Sequence, residues 1–127
     1  WILEKFYSWS DLKKGNIENV YSKDLLLTNI MIYILTKTFN SAAWIYFGRR
    51  EEGGRPFPKN FKKIRIPTAI AEFPKEMLSW PPKSYVKRIF NVKRWTKMKK
   101  GGHFAALEEP DLLVNDIRSF FNKDLNI

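Results

Sequence analysis

The sequence predicts an α/β fold, because strand-like and helix-like segments alternate over its C-terminal half. Two apolar, strand-like runs cover residues 64–71 and 91–98, and each precedes a helix-like segment. A β-α-β-α order implies that the strands pair in parallel through a right-handed crossover. Two strands cannot cover their own edges and faces, so the pattern also predicts that more strands lie beside them in the complete fold.

The N-terminal half is predicted to be helical. A first helix covers residues 3–14 and ends near Gly15. A second begins after Ser22, a good N-cap residue, and runs to about Thr38. Its apolar residues are spread evenly around the helix, so we expect it to be buried on most sides. A third helix covers residues 41–50.

A turn-rich segment at residues 51–58 separates the two halves. We therefore predict a helical portion at 1–55 and a β-α-β-α portion at 56–127. Within the second portion the predicted elements are a strand at 64–71, a helix at 82–89 after two prolines, a strand at 91–98, and an amphipathic helix at 109–122 that begins with Pro110.

The composition is that of a folded chain. Of the 127 residues, 44% are apolar and 16% aromatic, which is enough for the core of one small domain. Cysteine is absent and histidine occurs once, so disulfides and thiolate metal sites are excluded and a zinc site is not expected. The longest apolar run, residues 25–35, is too short to span a bilayer.

The net charge of +10 raises the question of nucleic-acid binding. The basic residues are spread along the chain and alternate with apolar ones, as on the solvated faces of amphipathic elements. No DNA- or RNA-binding motif accompanies them, so we expect no nucleic-acid partner. Attraction to an anionic membrane surface stays open as an alternative.

The only histidine lies on a glycine-rich turn between the second predicted strand and the helix that follows. His103 belongs to the tetrad GGHF at residues 101–104. A side chain that titrates near neutral pH on a strand-to-helix loop is typical of a general base in an α/β enzyme. The alternative is a surface histidine on a tight turn.

Several sequence blocks resemble the C-terminal part of microsomal-type epoxide hydrolases, in the α/β-hydrolase superfamily. They are FPKE at 73–76, RWTKM at 94–98, GGHFAALEEPDLL at 101–113 and, resembling the cap-domain helix, DLLLTNIMIY at 24–33. The resemblance implies that the strands are the last two of an eight-stranded sheet, preceded by part of a helical cap. It also implies that a missing N-terminal half carries the rest of the fold.

The resemblance further implies a two-step reaction and a role for three residues. A carboxylate attacks an epoxide carbon to form an ester, which a histidine-activated water hydrolyses. His103 matches the general base, Glu76 the acid that orients it, and Tyr46 a cap phenol that donates to the epoxide oxygen. The rival acids are Glu72, which lies one strand position too early, and the pair Glu108 and Glu109, which we expect to cap the final helix. The other tyrosines weighed are Tyr21, Tyr33, which we expect to pack, and Tyr85, which we place on a helix surface.

Two departures from the family pattern stand out. The cap helix of the family usually carries Trp and Gly where this chain has Ile34 and Lys37. The nucleophilic aspartate has no counterpart either, because all five aspartates read as helix or cap residues: Asp11, Asp24, Asp111, Asp116 and Asp124. We therefore expect the chain alone to be inactive.

The expected function is epoxide hydrolysis without a cofactor or metal. The expected partners are an epoxide, water and the missing N-terminal half, and self-association is left open. The sequences at residues 49–54 and 72–77 look more like bacterial members of the family than animal ones, which points to a cytoplasmic enzyme. An animal microsomal member would instead lie at the endoplasmic reticulum membrane. The alternatives are another α/β-hydrolase, such as a haloalkane dehalogenase or an esterase, and an inactive basic fragment that binds an acidic partner.

Overall fold

A computed structural model describes residues 1–53 and 61–125, which form two compact units. The first unit consists of Trp1–Tyr21 and Lys63–Ile127 and is called here the histidine unit. The second consists of Ser22–Lys62 and is called the helical unit. The first 21 residues thus pack with the C-terminal part of the chain. The predicted boundary between residues 55 and 56 lies outside the described residues and stays a prediction.

Two parallel strands form the sheet of the histidine unit, as the sequence predicts. Strand β1 covers Ile64–Glu72 and β2 covers Phe90–Lys97. Their register pairs Ile70 with Trp95, and a further bridge joins Lys75 to Gly102 after both strands have ended. This bridge continues the parallel pairing into the two loops that carry the site.

Helices connect and follow these strands close to the predicted positions. Helix α4, Lys83–Ile89, lies between the strands and begins after Pro82. Helix α6, Pro110–Ser119, has its proline in the first turn and continues into a π-helical turn at Phe120–Asp124. Before it lies the short helix α5, Ala105–Glu108.

The first helix is shorter than the sequence predicts. Helix α1 covers Ile2–Ser8, and a separate 3-10 turn follows at Lys13–Gly15. Between them Asp11 leaves the helical path, and its carboxylate accepts a hydrogen bond from the backbone N–H of Gly101 at 2.9 Å. The hydrogen bond between Asp11 and Gly101, which are 90 positions apart in sequence, therefore replaces the last helical turns predicted for this segment.

The core of the histidine unit is largely aromatic. Phe6 stacks on Phe104, with ring centroids 4.3 Å apart, and meets the buried ring of Tyr21 edge to face. The hydroxyl groups of Tyr21 and Ser10 hydrogen-bond at 2.6 Å. Burial raises the pKa of Tyr21 above its usual range, and the nearby charge of Glu108 acts in the same direction.

Two helices form the described part of the helical unit. Helix α2 covers Lys23–Leu35 and α3 covers Phe39–Glu51. The N-cap prediction is confirmed, since the Ser22 hydroxyl accepts from the N–H of Leu25 at 3.2 Å. No helix in the described parts of the chain is long and apolar enough to cross a membrane.

The predicted burial of α2 on most sides is wrong for the described residues. Leu26 is buried, whereas Leu35 is 73% exposed. Other large apolar side chains of this helix are also exposed: Leu27, Met31, Ile32 and Ile34. Apolar side chains do lie on all sides of the helix, as predicted, but the other described residues pack against only part of its surface.

Helix α2 ends in a Schellman motif. The N–H of Lys37 donates to the carbonyl of Ile34, and the N–H of Thr38 donates to the carbonyl of Tyr33. This geometry requires a left-handed residue, and Lys37 supplies it with φ of 55°. Lys37 is the position at which the resembled family usually has glycine, so the chain keeps the turn without the residue that adopts it most easily.

Candidate active site

The two residues predicted as base and acid partner lie in direct contact. Nδ1 of His103 is 2.7 Å from Oε1 of Glu76. The same carboxylate oxygen accepts a second hydrogen bond from the backbone N–H of Met77 at 2.8 Å. The two side chains are 39% and 23% exposed, so both remain accessible to a reactant.

The pairing of the two loops brings these side chains together. Lys75 and Gly102 form the bridge that extends the sheet, and the N–H of Lys75 donates to the carbonyl of Gly101 at 3.1 Å. Glu76 and His103 are the residues that follow the two bridged positions. The acid and the base are therefore placed by backbone pairing.

Close packing explains both glycines before the histidine. Gly101 has φ of 104°, and a Cβ there would lie 2.7 Å from the ring of Phe73. A Cβ on Gly102 would lie 2.7 Å from the carbonyl oxygen of Trp9 and 3.0 Å from that of Lys75. The loop can approach its neighbours this closely only without side chains at these positions.

The imidazole also contacts two aromatic rings. The ring of Trp9 meets it edge to face with centroids 5.1 Å apart, and Phe104 does so at 5.2 Å. The backbone N–H of His103 donates to the carbonyl of Trp9 at 2.9 Å. Trp9 thus contacts both the backbone and the ring of the histidine, a role that the sequence did not predict.

A groove of about 340 Å³ opens beside the acid–base pair. Its lining is mostly apolar and includes Leu78, Trp80 and Pro81 next to Glu76 and His103. The groove gives an uncharged, apolar molecule room near the imidazole.

Relatives of known name resemble this chain along most of its length. No protein-family model matches it. Epoxide hydrolase 1 of Sus scrofa is 39% identical over a 125-position alignment that covers 94% of this chain and 28% of that protein. A putative epoxide hydrolase of Stigmatella aurantiaca is 37% identical over a 127-position alignment that covers 97% of this chain and 27% of that protein. The chain is a homologue of the epoxide hydrolases.

Solved structures of epoxide hydrolases have the same fold. The juvenile hormone epoxide hydrolase of Bombyx mori matches with a TM-score of 0.80 at 23% identity, over 99% of this chain and 33% of that one. An enantioselective mutant of the epoxide hydrolase from Aspergillus niger matches with a TM-score of 0.75 at 30% identity, over 97% and 29%. The predicted fold class, the C-terminal part of an α/β-hydrolase fold, is confirmed. The chain spans about 28% of the length of the curated relatives it matches.

The other glutamates considered as the acid partner of His103 bind groups other than the imidazole in this homologue of the epoxide hydrolases. Glu72 accepts from the indole N–H of Trp95 at 2.5 Å, and Glu109 pairs with Lys100 at 2.6 Å. The expectation that Glu108 and Glu109 cap the final helix holds by position for Glu109 alone. Glu109 occupies the N-cap position of α6 but makes no side-chain cap hydrogen bond. Glu108 instead accepts from backbone N–H groups of residues 101–104, called here the histidine loop.

The predicted cap phenol lies in the helical unit. Tyr46 is on α3 and is 56% exposed. Its role stays a prediction, as does the assignment of His103 and Glu76 to catalysis. Tyr85 lies exposed on α4, as expected, while Tyr21 is buried.

None of the five aspartates, all within the described ranges, lies on a turn between a strand and a helix. Asp24 belongs to α2, Asp111 and Asp116 belong to α6, and Asp124 ends the π-helical turn. The expectation that Asp11 is helical is wrong, because it lies in the loop after α1 and binds Gly101.

Proposed function

We propose that this chain carries the general base, its acid partner and an activating phenol of an epoxide hydrolase. The reaction converts an epoxide and water to a vicinal diol through an alkyl-enzyme ester. The 2.7 Å contact between Nδ1 of His103 and Glu76 is the observation that carries the proposal. Similarity in both sequence and structure to proteins named epoxide hydrolases supports an epoxide as the substrate.

The contact with Glu76 selects the tautomer of the imidazole. A carboxylate only accepts hydrogen bonds, so the proton of a neutral His103 resides on Nδ1. Nε2 then carries the lone pair and can take a proton from water. The carboxylate also stabilises the imidazolium that forms when the proton arrives.

In the first step, a carboxylate oxygen forms a bond to one epoxide carbon while the bond from that carbon to the ring oxygen breaks. The ring oxygen becomes an alkoxide, which the phenol of Tyr46 stabilises by donating a hydrogen bond and then a proton. We assign the nucleophilic carboxylate to a part of the fold outside this chain, because no aspartate here follows a strand.

In the second step, water attacks the ester carbonyl carbon as Nε2 of His103 takes one of its protons. The acyl carbon–oxygen bond breaks and the diol leaves with the oxygen that came from the enzyme. The water oxygen remains in the regenerated carboxylate. The imidazolium gives its proton to the leaving alkoxide. The second proton of the water, left on the regenerated carboxylic acid, returns to the tyrosinate, so that the carboxylate, the phenol and the neutral imidazole are all restored.

The test uses this chain within its complete reading frame, with an aryl epoxide such as styrene oxide as the probe. We expect His103→Gln to form the ester but not hydrolyse it, so that intact-protein mass rises by the mass of one epoxide. Steady-state turnover should fall by about 100-fold or more. Intact turnover in this variant would overturn the assignment of the base.

A second pair of variants separates epoxide opening from other α/β-hydrolase reactions. Tyr46→Phe should slow ester formation from the epoxide by about 10-fold to 1000-fold. It should leave hydrolysis of an aryl ester nearly unchanged if any is detected. Tyr85→Phe, on the exposed face of α4, is the matched control and should change neither rate. Equal effects of the two substitutions would contradict the role of Tyr46.

A further inference from the structure

The histidine loop is held by a carboxylate that has no place in the reaction as proposed. The backbone N–H groups of Gly102 and Phe104, on either side of His103, donate to Oε2 and Oε1 of Glu108 at 2.8 and 2.9 Å. The N–H of Asp11 donates to the same Oε2 at 2.7 Å. One side chain thus accepts three backbone hydrogen bonds, one of them from a residue 97 positions away.

The other two N–H groups of the tetrad are also bound from outside it. The N–H of Gly101 donates to the carboxylate of Asp11 at 2.9 Å, and the N–H of His103 donates to the carbonyl of Trp9 at 2.9 Å. All four consecutive N–H groups of residues 101–104 therefore have partners. Two of the three partner residues come from the segment that follows α1.

We propose that Glu108 is a positioning residue for His103, and that Asp11 assists it. This inference rests on the proposed function. Through the N–H of Phe104, Glu108 holds the peptide plane that directly follows the Cα of His103, and the Trp9 carbonyl holds the plane that directly precedes it. These two planes set the direction of the Cα–Cβ bond of His103, and the second bond of Glu108, to the N–H of Gly102, anchors the peptide one position earlier. The imidazole can then meet Glu76 with Nδ1 and present Nε2 to water without searching for that orientation.

The geometry requires a carboxylate at position 108. A glutamine offers one acceptor oxygen and one NH₂ group, which only donates. If its oxygen takes the place of Oε2, its NH₂ group faces the N–H of Phe104, which then loses its partner. Glu108→Gln preserves the size of the side chain and removes one loop anchor.

The first arm of the test reads the imidazole directly by nuclear magnetic resonance in the 127-residue chain. His103 is its only histidine, so ¹⁵N-histidine labelling gives a single imidazole spectrum. We expect Glu108→Gln to speed exchange of the Nδ1 proton with water by about 10- to 100-fold, the factor that corresponds to one hydrogen bond to a charged group. The two ring nitrogens should also shift toward a mixture of tautomers.

The matched control is Glu109→Gln, the same substitution one position away. Glu109 pairs with Lys100 and accepts from no N–H group of residues 101–104 in the structure. It should leave the Nδ1 exchange rate within about twofold of the unsubstituted chain. If Glu108→Gln is folded and its imidazole behaves like that of the control, the positioning role is overturned.

A second variant covers the outcome in which Glu108→Gln does not fold, as judged by circular dichroism. Asp11→Ala removes the partner of the Gly101 N–H and leaves the Glu108 carboxylate in place. We expect a smaller increase in Nδ1 exchange, about 3- to 10-fold. An unchanged exchange rate in this variant would then contradict the proposal.

The second arm measures the two chemical steps in the complete reading frame. Glu108→Gln should slow hydrolysis of the ester by about 10- to 100-fold and leave its formation within about threefold, because only the second step uses His103. Equal loss in both steps indicates a purely structural role. If His103→Gln turns over normally, the proposed function fails regardless of the imidazole spectra, so the two failures are distinguishable.

Discussion

The histidine unit and the helical unit hold their structures by different kinds of contact. In the first, side chains bind partners that are distant in sequence, as Glu108 does with Asp11 and Arg94 does with Asp116. In the second, the side-chain hydrogen bonds of Ser22 and Thr36 go to residues within four positions.

Burial differs between the units in the same way. Aromatic residues far apart in sequence are buried together in the histidine unit. Among the described residues of the helical unit, Leu26 is the one that is buried. We infer that tertiary contacts dominate stability in the first unit and local helix energetics in the second. Substitutions that act on only one kind of contact test this difference.

The largest effect is expected from Asp116, a buried residue of α6. Its carboxylate accepts from Nε of Arg94 at 2.8 Å and from the hydroxyl of Thr96 at 2.7 Å, which ties α6 to β2. Hydrogen bonds to Asp124 and Asp116 raise the pKa of Arg94. We expect Asp116→Ala to lower the free energy of unfolding of the histidine unit by about 3 kcal/mol, because it removes a buried carboxylate and leaves two partly buried donors without this acceptor.

Urea unfolding followed by tryptophan fluorescence measures this loss. Asp111→Ala, in the exposed first turn of the same helix, is the control and should cost about 0.5 kcal/mol. Equal losses in the two variants would contradict the importance of the buried network. Four of the five tryptophans lie in the histidine unit: Trp1, Trp9, Trp80 and Trp95.

Glycine-to-alanine substitutions should have opposite signs in the two units. Gly102→Ala places a Cβ 2.7 Å from the backbone oxygen of Trp9, and we expect it to destabilise the histidine unit by about 2 kcal/mol. Gly48 lies inside α3, and a Cβ there meets nothing within 4 Å. Gly48→Ala should stabilise α3 by about 0.5–1 kcal/mol.

Amide hydrogen exchange, resolved by residue, reports on each unit separately. Protection should fall around Gly102 in the first variant and rise along α3 in the second. A loss of protection along α3 in Gly48→Ala would show that the helical unit also depends on close packing, and the contrast between the units would not hold.

Local patterns predicted the elements well. The Ser22 cap, the proline at the start of α6 and the two strands all appear within a few residues of their predicted positions. The end of α1 and the burial of α2 were wrong because tertiary structure decides both. Asp11 leaves the helix to bind Gly101, and the surface around α2 depends on what covers it.

The contact between His103 and Glu76 agrees with the pairing that the resemblance implied. The sequence missed Asp11 and Glu108, because a carboxylate that binds backbone N–H groups leaves no spacing pattern. The double glycine before the histidine was the available signal. Residues without side chains allow close backbone approach, and the N–H groups there then need acceptors.

The stability of the histidine unit should depend on Tyr21 at high pH. Burial raises the pKa of Tyr21 in the folded state, so the unfolded chain loses the phenol proton first. The contribution of the neutral phenol to the stability of the histidine unit is fully present below about pH 10, the unperturbed pKa of tyrosine, and is lost as the pH rises beyond it. At pH 11 the loss reaches about 1 kcal/mol.

Tyr21→Phe isolates this contribution from the other groups that titrate in the same range. The variant lacks the hydrogen bond to Ser10 and should be less stable at pH 8. The difference from the unsubstituted chain should shrink by about 1 kcal/mol between pH 8 and pH 11 in urea unfolding. A constant difference over this range would show that Tyr21 ionises as readily in the folded state as in the unfolded state.

The most local effect is expected at the end of α2, where Lys37 has a φ of 55°. Lys37→Gly removes the steric cost of the left-handed conformation and should stabilise the end of the helix by about 1 kcal/mol. Lys37→Ala removes the same charge but keeps a Cβ, so it is the matched control and should change stability by about 0.3 kcal/mol or less. Hydrogen exchange at the N–H groups of Lys37 and Thr38, which donate to the last turn of α2, measures both variants. The helical unit has few buried contacts to limit local opening, so the extra stability of the glycine variant should appear almost in full as slower exchange at these N–H groups. Equal exchange rates in the two variants would mean that contacts other than the Schellman motif hold the end of α2.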